Sequence, residues 1–156
     1  MRRVSSLFRR SRRAAAAALA GAAMLCAPAW AIEYRSVSVD AGILYDSPST
    51  RAGKLFLLGR GYPVEVLVTL EGWAKVRDAS GDLAWIEASQ LSPKRTVMVR
   101  VPRAQVRSAP DESAPIAFEA EQDVVLEFLE MAGNFARVRH ADGATGFVRI
   151  TQVWGL

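Results

Sequence analysis

The chain contains the same unit twice, and this repeat limits the fold more than any other feature of the sequence. The stretch GWAKVRDASGDLAWI at 72–86 is followed 62 positions later by NFARVRHADGATGFV at 134–148. At that offset the chain aligns with itself without a gap from Val37 to Gln90, with thirteen identities in 54 positions. A repeat of this length indicates two homologous structural units. We place these units at residues 33–94 and 95–156.

Each unit has the pattern of short β-strands. PVEVLVTL at 63–70 and VVLEFLEM at 124–131 are rich in β-branched and aromatic residues, and turn residues in DASGD and HADGA separate the runs that follow. A short meander leaves open strand edges unless its sheet curls and closes, so the sequence predicts an all-β fold of two small barrels. The connection SPKRT at 92–96 contains a proline and no glycine. We therefore expect the barrels to pack in a fixed relation.

The first 31 residues have the order of a secretory signal peptide. Six arginines precede the twelve-residue apolar run AAAAALAGAAML, and small residues follow at Ala29 and Ala31. We predict cleavage after Ala31 and a protein that is periplasmic or secreted. The alternative is an uncleaved membrane anchor, but the apolar run is shorter than the roughly 20 residues that a membrane span needs. With the leader removed, we expect no membrane span in the mature chain. The arginine pair at Arg12 and Arg13 leaves the choice between Sec and twin-arginine export open.

Removing this leader reverses the net charge. The whole chain has 20 Lys and Arg against 16 Asp and Glu; six of the arginines and none of the acids lie in the leader, which leaves 14 against 16 and a net charge of −2. Nucleic-acid binding needs a concentrated basic face, so we expect no nucleic-acid partner. The only cysteine, Cys26, also lies in the leader. We therefore expect no disulfide, no thiol nucleophile and no cysteine metal ligand.

The order of motifs resembles the bacterial SH3-like (SH3b) domain family. ILYDSPST, GYPVEVL, GWAKVR, SGDLAWI and ASQL carry this resemblance in the first copy, and QVRSAP, DVVLEFL, NFARVR, DGATGFV and ITQV carry it in the second. The resemblance implies two tandem SH3-like barrels and a binding role in the cell envelope without catalysis, with ligands that include peptidoglycan and other proteins. Two departures concern glycine: Ala84 stands where the family usually has glycine, and Asp123 stands where the first copy has Gly61. Each predicts an altered turn if glycine is needed there for a left-handed backbone.

Strand alternation and the resemblance together locate a candidate ligand groove. In WAKVR, Ala74 and Val76 share one side of the strand, which suits a barrel interior, while Trp73 shares the other side with two cations. In eukaryotic SH3 domains, which this segment is similar to, a tryptophan here lies on the peptide groove, and the tyrosine of the ILYDS segment would join it. The candidate groove residues of the two copies are Tyr45, Trp73, Glu87, Gln90, Arg107, Phe135, Arg149 and Gln152. The open alternative is that the aromatic residues belong to the core.

The ligand class can be narrowed further. The last short turn of eukaryotic SH3 domains supplies a proline and a tyrosine where this chain has Glu87 and Gln90, so we do not expect polyproline recognition. The only histidine, His140, aligns with Asp78, and neither a zinc-ligand spacing nor a motif for a carboxylate pair is present. We expect no enzyme activity, no cofactor and no metal. A peptide or protein partner is favoured, because a mildly acidic mature chain would gain little from the acidic wall polymer. Peptidoglycan binding and a purely structural role are the alternatives. The oligomeric state is open.

Overall fold

The computed structural model describes residues 32–156, which belong to one compact unit. The predicted signal peptide and its cleavage site at Ala31 lie outside the described residues. The described chain is built from β-strands and two three-residue 3-10 turns, and its strands form two seven-stranded antiparallel sheets, one from each repeat. This architecture confirms the predicted all-β fold of two tandem units. Within residues 32–156, no helix has the length and apolar character needed to cross a membrane.

The first sheet, barrel 1, has the strand order β3-β2-β6-β5-β4-β1-β7. Its strands are β1 (Glu33–Val37), β2 (Ala41–Tyr45), β3 (Lys54–Gly59), β4 (Pro63–Leu70), β5 (Trp73–Arg77), β6 (Leu83–Glu87) and β7 (Leu91–Ser92). A 3-10 turn at Ala88–Gln90 joins β6 to β7, where the sequence ASQL suits a single turn.

The second sheet, barrel 2, repeats this order as β10-β9-β13-β12-β11-β8-β14. Its strands are β8 (Thr96–Val99), β9 (Arg103–Arg107), β10 (Ile116–Glu121), β11 (Val125–Ala132), β12 (Phe135–Arg139), β13 (Thr145–Arg149) and β14 (Val153–Trp154), with a 3-10 turn at Ile150–Gln152. The irregularities recur as well. Leu67 is skipped in the β4–β5 register, and Leu129 is skipped in the β11–β12 register. The two copies therefore share their strand pairing down to the position of a bulge.

The two interiors hold residues of similar kind at equivalent positions. Buried core residues of barrel 1 recur at the same 62-residue offset in barrel 2: Val37 with Val99, Leu44 with Val106, Val64 with Leu126, Val76 with Val138, Ile86 with Val148 and Leu91 with Val153. Gly42 is replaced by a larger residue in barrel 2, and a smaller neighbouring side chain makes room for it. A Cβ at Gly42 would lie 2.9 Å from Val37 Cγ1 and 3.2 Å from Ile86 Cδ1, whereas barrel 2 has Ala104 beside the smaller Val148.

The glycine substitutions noted in the sequence do not disturb the turns. Gly61 has a φ of +82°, and Asp123 at the equivalent position keeps a left-handed φ of +66°, a conformation that aspartate adopts more readily than most residues do. Ala84 is buried inside β6 rather than in a turn. The turn at Asp123 is therefore not altered, and at Ala84 the condition for an altered turn, a left-handed backbone, is not met.

Residues around the linker join the two barrels directly. The Thr96 hydroxyl donates a hydrogen bond of 2.7 Å to the Gly61 carbonyl, and the Arg95 guanidinium lies between the rings of Tyr34 and Phe128, 5.6 Å and 5.2 Å from their centres. Tyr34 also meets Trp154 edge-on, with ring centres 5.3 Å apart. Burial raises the pKa of the Tyr34 hydroxyl. These contacts join the two barrels beside the short linker, and the fixed relation between the barrels stays a prediction.

Candidate functional site

The outer side of three neighbouring strands in barrel 1 forms the strongest candidate for a ligand surface. The register pairs Leu70 with Trp73 and Trp73 with Glu87; in the next row it pairs Val68 with Lys75 and Lys75 with Trp85. Paired residues of an antiparallel sheet point to the same side. We call this surface the Trp73 face, and its members are Val68, Leu70, Trp73, Lys75, Trp85 and Glu87. The predicted alternation in WAKVR is present, because Ala74 and Val76 point inward and are buried.

The Trp73 face is apolar and partly open to solvent. Val68 is 50% exposed and Leu70 is 48% exposed, while the other four side chains are half-buried. Leu67 occupies the bulge between the pairs Val66–Val76 and Val68–Lys75. The bulge shifts the pairing by one residue, so two apolar side chains of β4 lie outside the core beside Trp73. Adjoining exposed apolar side chains often mark an interaction surface.

Tyr45 pairs with Trp85 and so lies on the same side of the sheet, but its side chain is covered and supports this surface rather than forming an open part of it. The Tyr45 side chain is only 3% exposed, and its ring meets the Trp73 ring edge-on, with the ring centres 5.4 Å apart and the planes at 88°. Edge-to-face packing of this kind stabilises one ring geometry. The contact therefore fixes the orientation of Trp73.

Gln90 and Glu87 connect the face to strand β2. Gln90 Oε1 accepts a hydrogen bond of 3.2 Å from the Ile43 amide, and Gln90 Nε2 donates one of 3.4 Å to Glu87 Oε1. The Gln90 side chain thus fills the gap where β2 and β6 separate beyond their pairing at Tyr45 and Trp85. Of the four groove residues predicted in barrel 1, Trp73 and Glu87 are members of the face, Tyr45 is buried against the Trp73 ring, and Gln90 hydrogen-bonds to Glu87.

The equivalent surface of barrel 2 consists of Glu130, Ala132, Phe135, Arg137, Phe147 and Arg149, and we call it the Phe135 face. Phe135 is only 6% exposed. The guanidinium of Arg137 lies 3.0 Å from Glu130 Oε1, and Arg149 forms an ion pair with Glu112. In barrel 2 the charged residues of this face are therefore paired with each other or with a neighbour. At the equivalent positions of barrel 1, Val68 is apolar, and Lys75 has no acidic partner within 4.0 Å among the described residues.

The remaining predicted residues of barrel 2 have structural partners or lie buried. Arg107 donates hydrogen bonds of 2.8 Å to the Ala114 carbonyl and to Gln105 Oε1. Gln152 Oε1 is buried and has no hydrogen-bond partner among the described residues. The four residues Arg107, Phe135, Arg149 and Gln152 therefore do not form an open aromatic groove like that around Trp73.

Two members of the Trp73 face, Val68 and Leu70, were not found by the sequence reasoning. Both lie in the mostly apolar strand sequence PVEVLVTL, whose composition is typical of a buried strand. The second copy carries a usable signal, since Glu130 and Ala132 occupy the equivalent positions. A position that holds glutamate in one copy faces solvent in that copy, and by homology the valine and leucine of the other copy are candidates for exposure.

The absence of a metal-binding cluster concerns the described residues alone. Among residues 32–156, no group of three or more His, Cys, Asp or Glu side chains is placed to hold a metal ion. His140 Nδ1 lies 3.1 Å from Asp142 Oδ1 within one turn. The hydrogen bond that the Ala144 amide donates is the main cause that lowers the pKa of Asp142, and the hydroxyl and the amide of Ser113 lower the pKa of Asp111 in the same way.

The comparisons with known proteins follow the division of the chain into two barrels. A model of the bacterial SH3 domain matches residues 38–93 and again 100–155. None of the curated proteins compared with the chain matches it.

Solved structures show a more distant similarity. NlpC2 from Trichomonas vaginalis is 19% identical, with a TM-score of 0.35, over 78% of this chain and 46% of that chain. The NLPC/P60 family protein from Bacillus cereus ATCC 10987 is 19% identical, with a TM-score of 0.33, over 78% of this chain and 55% of that chain. The chain thus spans about half the length of the solved structures that it matches.

Proposed function

This chain belongs to the bacterial SH3 domain family, and we propose that it is a non-catalytic exported binding protein whose first barrel recognises a peptide or protein partner in the cell envelope. Bacterial SH3 domains are binding modules that are often related to the cell wall. The observation that supports this proposal most directly is the Trp73 face, where Val68 and Leu70 are exposed beside a tryptophan.

The chemistry of the face favours a peptide with an apolar side chain. Such a side chain would cover Leu70 and the open part of the Trp73 ring, and removing this apolar surface from water would stabilise the complex. Lys75 and Glu87 carry opposite charges at the two sides of the aromatic residues. They suit a partner with polar or mixed charges around an apolar anchor, since interfaces commonly combine an apolar centre with a polar rim.

The contacts between the barrels do not use this face. Tyr34 and Trp154 make the aromatic contact across the junction, whereas Trp73 contacts Tyr45 of its own barrel. This arrangement supports a free binding surface over the alternative of a structural protein whose two grooves cover each other.

The proposed export has a direct test. A leader that is cleaved after Ala31 leaves Ile32 as the first residue of the mature chain. N-terminal sequencing of the protein recovered from a periplasmic or secreted fraction should therefore begin IEYRS. Recovery from the cytoplasm alone, with the leader intact, would contradict this part of the proposal.

A pull-down experiment tests the ligand class. The protein is immobilised and incubated separately with periplasmic extract and with purified sacculi. We expect a partner from the extract to be retained, and Trp73→Ala to weaken its binding by about thirtyfold, the effect of losing an interface hot spot. Met131→Ala is the matched control, because Met131 is an exposed apolar residue of a barrel 2 strand outside the Trp73 face.

The outcomes separate the alternatives. If the protein binds sacculi and Trp73→Ala weakens this binding, the ligand is peptidoglycan and not a protein partner. Retention by neither material contradicts the proposal, as does an equal loss in Trp73→Ala and Met131→Ala. Release of soluble fragments from sacculi by the purified protein would contradict the absence of catalysis.

A further inference from the structure

A cleft between the two barrels is lined by cationic side chains from three segments of the chain. Arg60 comes from the β3–β4 turn, Lys94 from the linker, and Arg139 and His140 from the end of β12. Two adjoining cavities of about 270 Å³ and 320 Å³ meet at Arg60 and Lys94. We call this region the cationic cleft. Neither barrel alone contains it.

The positive charge of the cationic cleft is only partly neutralised. Among the described residues that line it, Glu127 is the only acid. Its Oε2 atom lies 3.3 Å from Lys94 Nζ and 3.8 Å from Arg139 Nη1, so one carboxylate is shared by two cations. Arg60 pairs with Asp40, which lies outside the lining and is 91% exposed. With His140 neutral and Asp40 counted as the partner of Arg60, three cations stand against two acids, an excess of one positive charge.

The repeat provides an internal reference for this excess. Where the cationic cleft has Arg60, Lys94 and His140, the equivalent residues of the other copy are Gln122, Leu156 and Asp78. The pair Arg139 and Glu127 corresponds to Arg77 and Glu65, which form a one-to-one ion pair at 2.8 Å. The extra cations are therefore specific to one side of the junction.

The cationic groups are accessible to a ligand. The side chains of Arg60, Lys94 and Arg139 are 62%, 58% and 48% exposed. At the base of the cleft the Thr96 hydroxyl donates to the Gly61 carbonyl, a bond that joins the two barrels. A ligand held by Arg60 and Arg139 would therefore contact both barrels.

We propose that the cationic cleft binds a phosphate monoester or inorganic phosphate. The excess positive charge attracts an anion, and the exposed Arg60, Lys94 and Arg139 side chains can donate to its oxygens. Guanidinium groups suit phosphate because their donors form a planar fork that can engage two oxygens at once. This site is distinct from the Trp73 face, and the inference does not depend on the proposed function of that face.

Calorimetric titration of the purified protein with inorganic phosphate and with glycerol phosphate tests the site. We expect saturable binding that weakens as chloride is added, because partly exposed charges are screened by salt. Arg60→Gln and Arg139→Gln should each weaken binding roughly tenfold, the usual effect of losing one charge-assisted hydrogen bond. Arg103→Gln is the matched control, since Arg103 pairs with Glu119 on an exposed strand outside the cleft.

The result distinguishes the site from general charge attraction. Absence of saturable phosphate binding, or an equal loss in Arg60→Gln and Arg103→Gln, would overturn the inference. Vesicles of phosphatidylcholine with phosphatidic acid separate the two sources of a phosphate monoester: co-sedimentation that depends on Arg60 supports a lipid headgroup, and binding of glycerol phosphate alone supports a soluble ester. Trp73→Ala should leave phosphate binding unchanged, so failure of either proposal can be recognised separately.

Discussion

Barrel 1 and barrel 2 are alike inside and different outside. At equivalent buried positions of the two copies, Val, Leu, Ile and Ala replace one another. At the equivalent outer positions, Val68, Leu70 and Trp73 of barrel 1 correspond to Glu130, Ala132 and Phe135 of barrel 2. The interior tolerates only residues that fill a closed barrel, whereas the outer face can change freely. After duplication, the shared fold therefore left each copy able to acquire its own surface chemistry.

The difference also explains why, of these two equivalent faces, the one in barrel 1 is the more open. In barrel 1, Trp73 rests on the ring of Tyr45, and Lys75 beside it has no acidic partner among the described residues. In barrel 2, the position of Tyr45 is taken by Arg107, which hydrogen-bonds to its own barrel. A tandem protein of this kind has two similar scaffolds but need not have two similar binding sites.

The strongest test of the shared interior is truncation of one large core residue in each barrel. Leu44 and Leu126 are both fully buried, and replacement of either by alanine leaves a cavity as well as losing apolar contacts. We expect Leu44→Ala and Leu126→Ala each to lower the free energy of unfolding by about 2–5 kcal/mol, measured by urea denaturation. A loss under about 1 kcal/mol in one barrel alone would show that its interior is not packed like the other.

A double-mutant cycle tests whether the interiors differ by compensation. Gly42→Ala brings a methyl group against Val37 and Ile86, and we expect a cost of about 1–3 kcal/mol from overpacking. Adding Ile86→Val reproduces the pair Ala104 and Val148 of barrel 2 and should recover part of that cost. The measurement is the free energy of unfolding of both single variants and the double variant. Strict additivity would contradict the compensation.

The turns between β5 and β6 and between β12 and β13 offer a smaller contrast. Asp78 is a buried carboxylate that accepts hydrogen bonds from the Ser80 amide, the Ser80 hydroxyl and the Asp82 amide. His140 at the equivalent position accepts a single long one. We expect Asp78→Ala to cost about 1–3 kcal/mol and His140→Ala less than about 0.5 kcal/mol, both measured by thermal unfolding. Equal effects would remove this distinction between the turns.

The smallest expected difference between the barrels is in how their stability depends on pH in acid. Hydrogen bonds lower the pKa of Asp111 and Asp142 in barrel 2, while barrel 1 has Ser49 and Ser80 at these positions. A pKa that is lower in the folded state adds stability above the unfolded pKa, and this stability is lost as the pH falls through the folded pKa. Asp111→Asn and Asp142→Asn should therefore reduce the acid dependence of unfolding below about pH 4. An NMR titration that gives either carboxyl group a pKa at or above the ordinary aspartate value would contradict this prediction.

Much of the fold was predictable because the repeat, the turn residues and the alternation in WAKVR all depend on local sequence. The Trp73 face was only partly predictable. The bulge at Leu67 exposes Val68 and Leu70, and a bulge depends on pairing with a distant strand rather than on composition. The burial of Tyr45 under Trp73 and the position of Arg95 between two rings likewise follow from tertiary contacts that local patterns do not contain.

The central claim is that ligand recognition belongs to the Trp73 face of barrel 1, and giving that face the residues of barrel 2 tests it most directly. The double variant Val68→Glu and Leu70→Ala changes two exposed side chains, so its unfolding temperature should stay close to that of the parent. We predict that it loses retention of the envelope ligand, whereas Glu130→Ala in barrel 2 binds like the parent. Unchanged retention by the double variant, or loss in Glu130→Ala instead, would contradict the account.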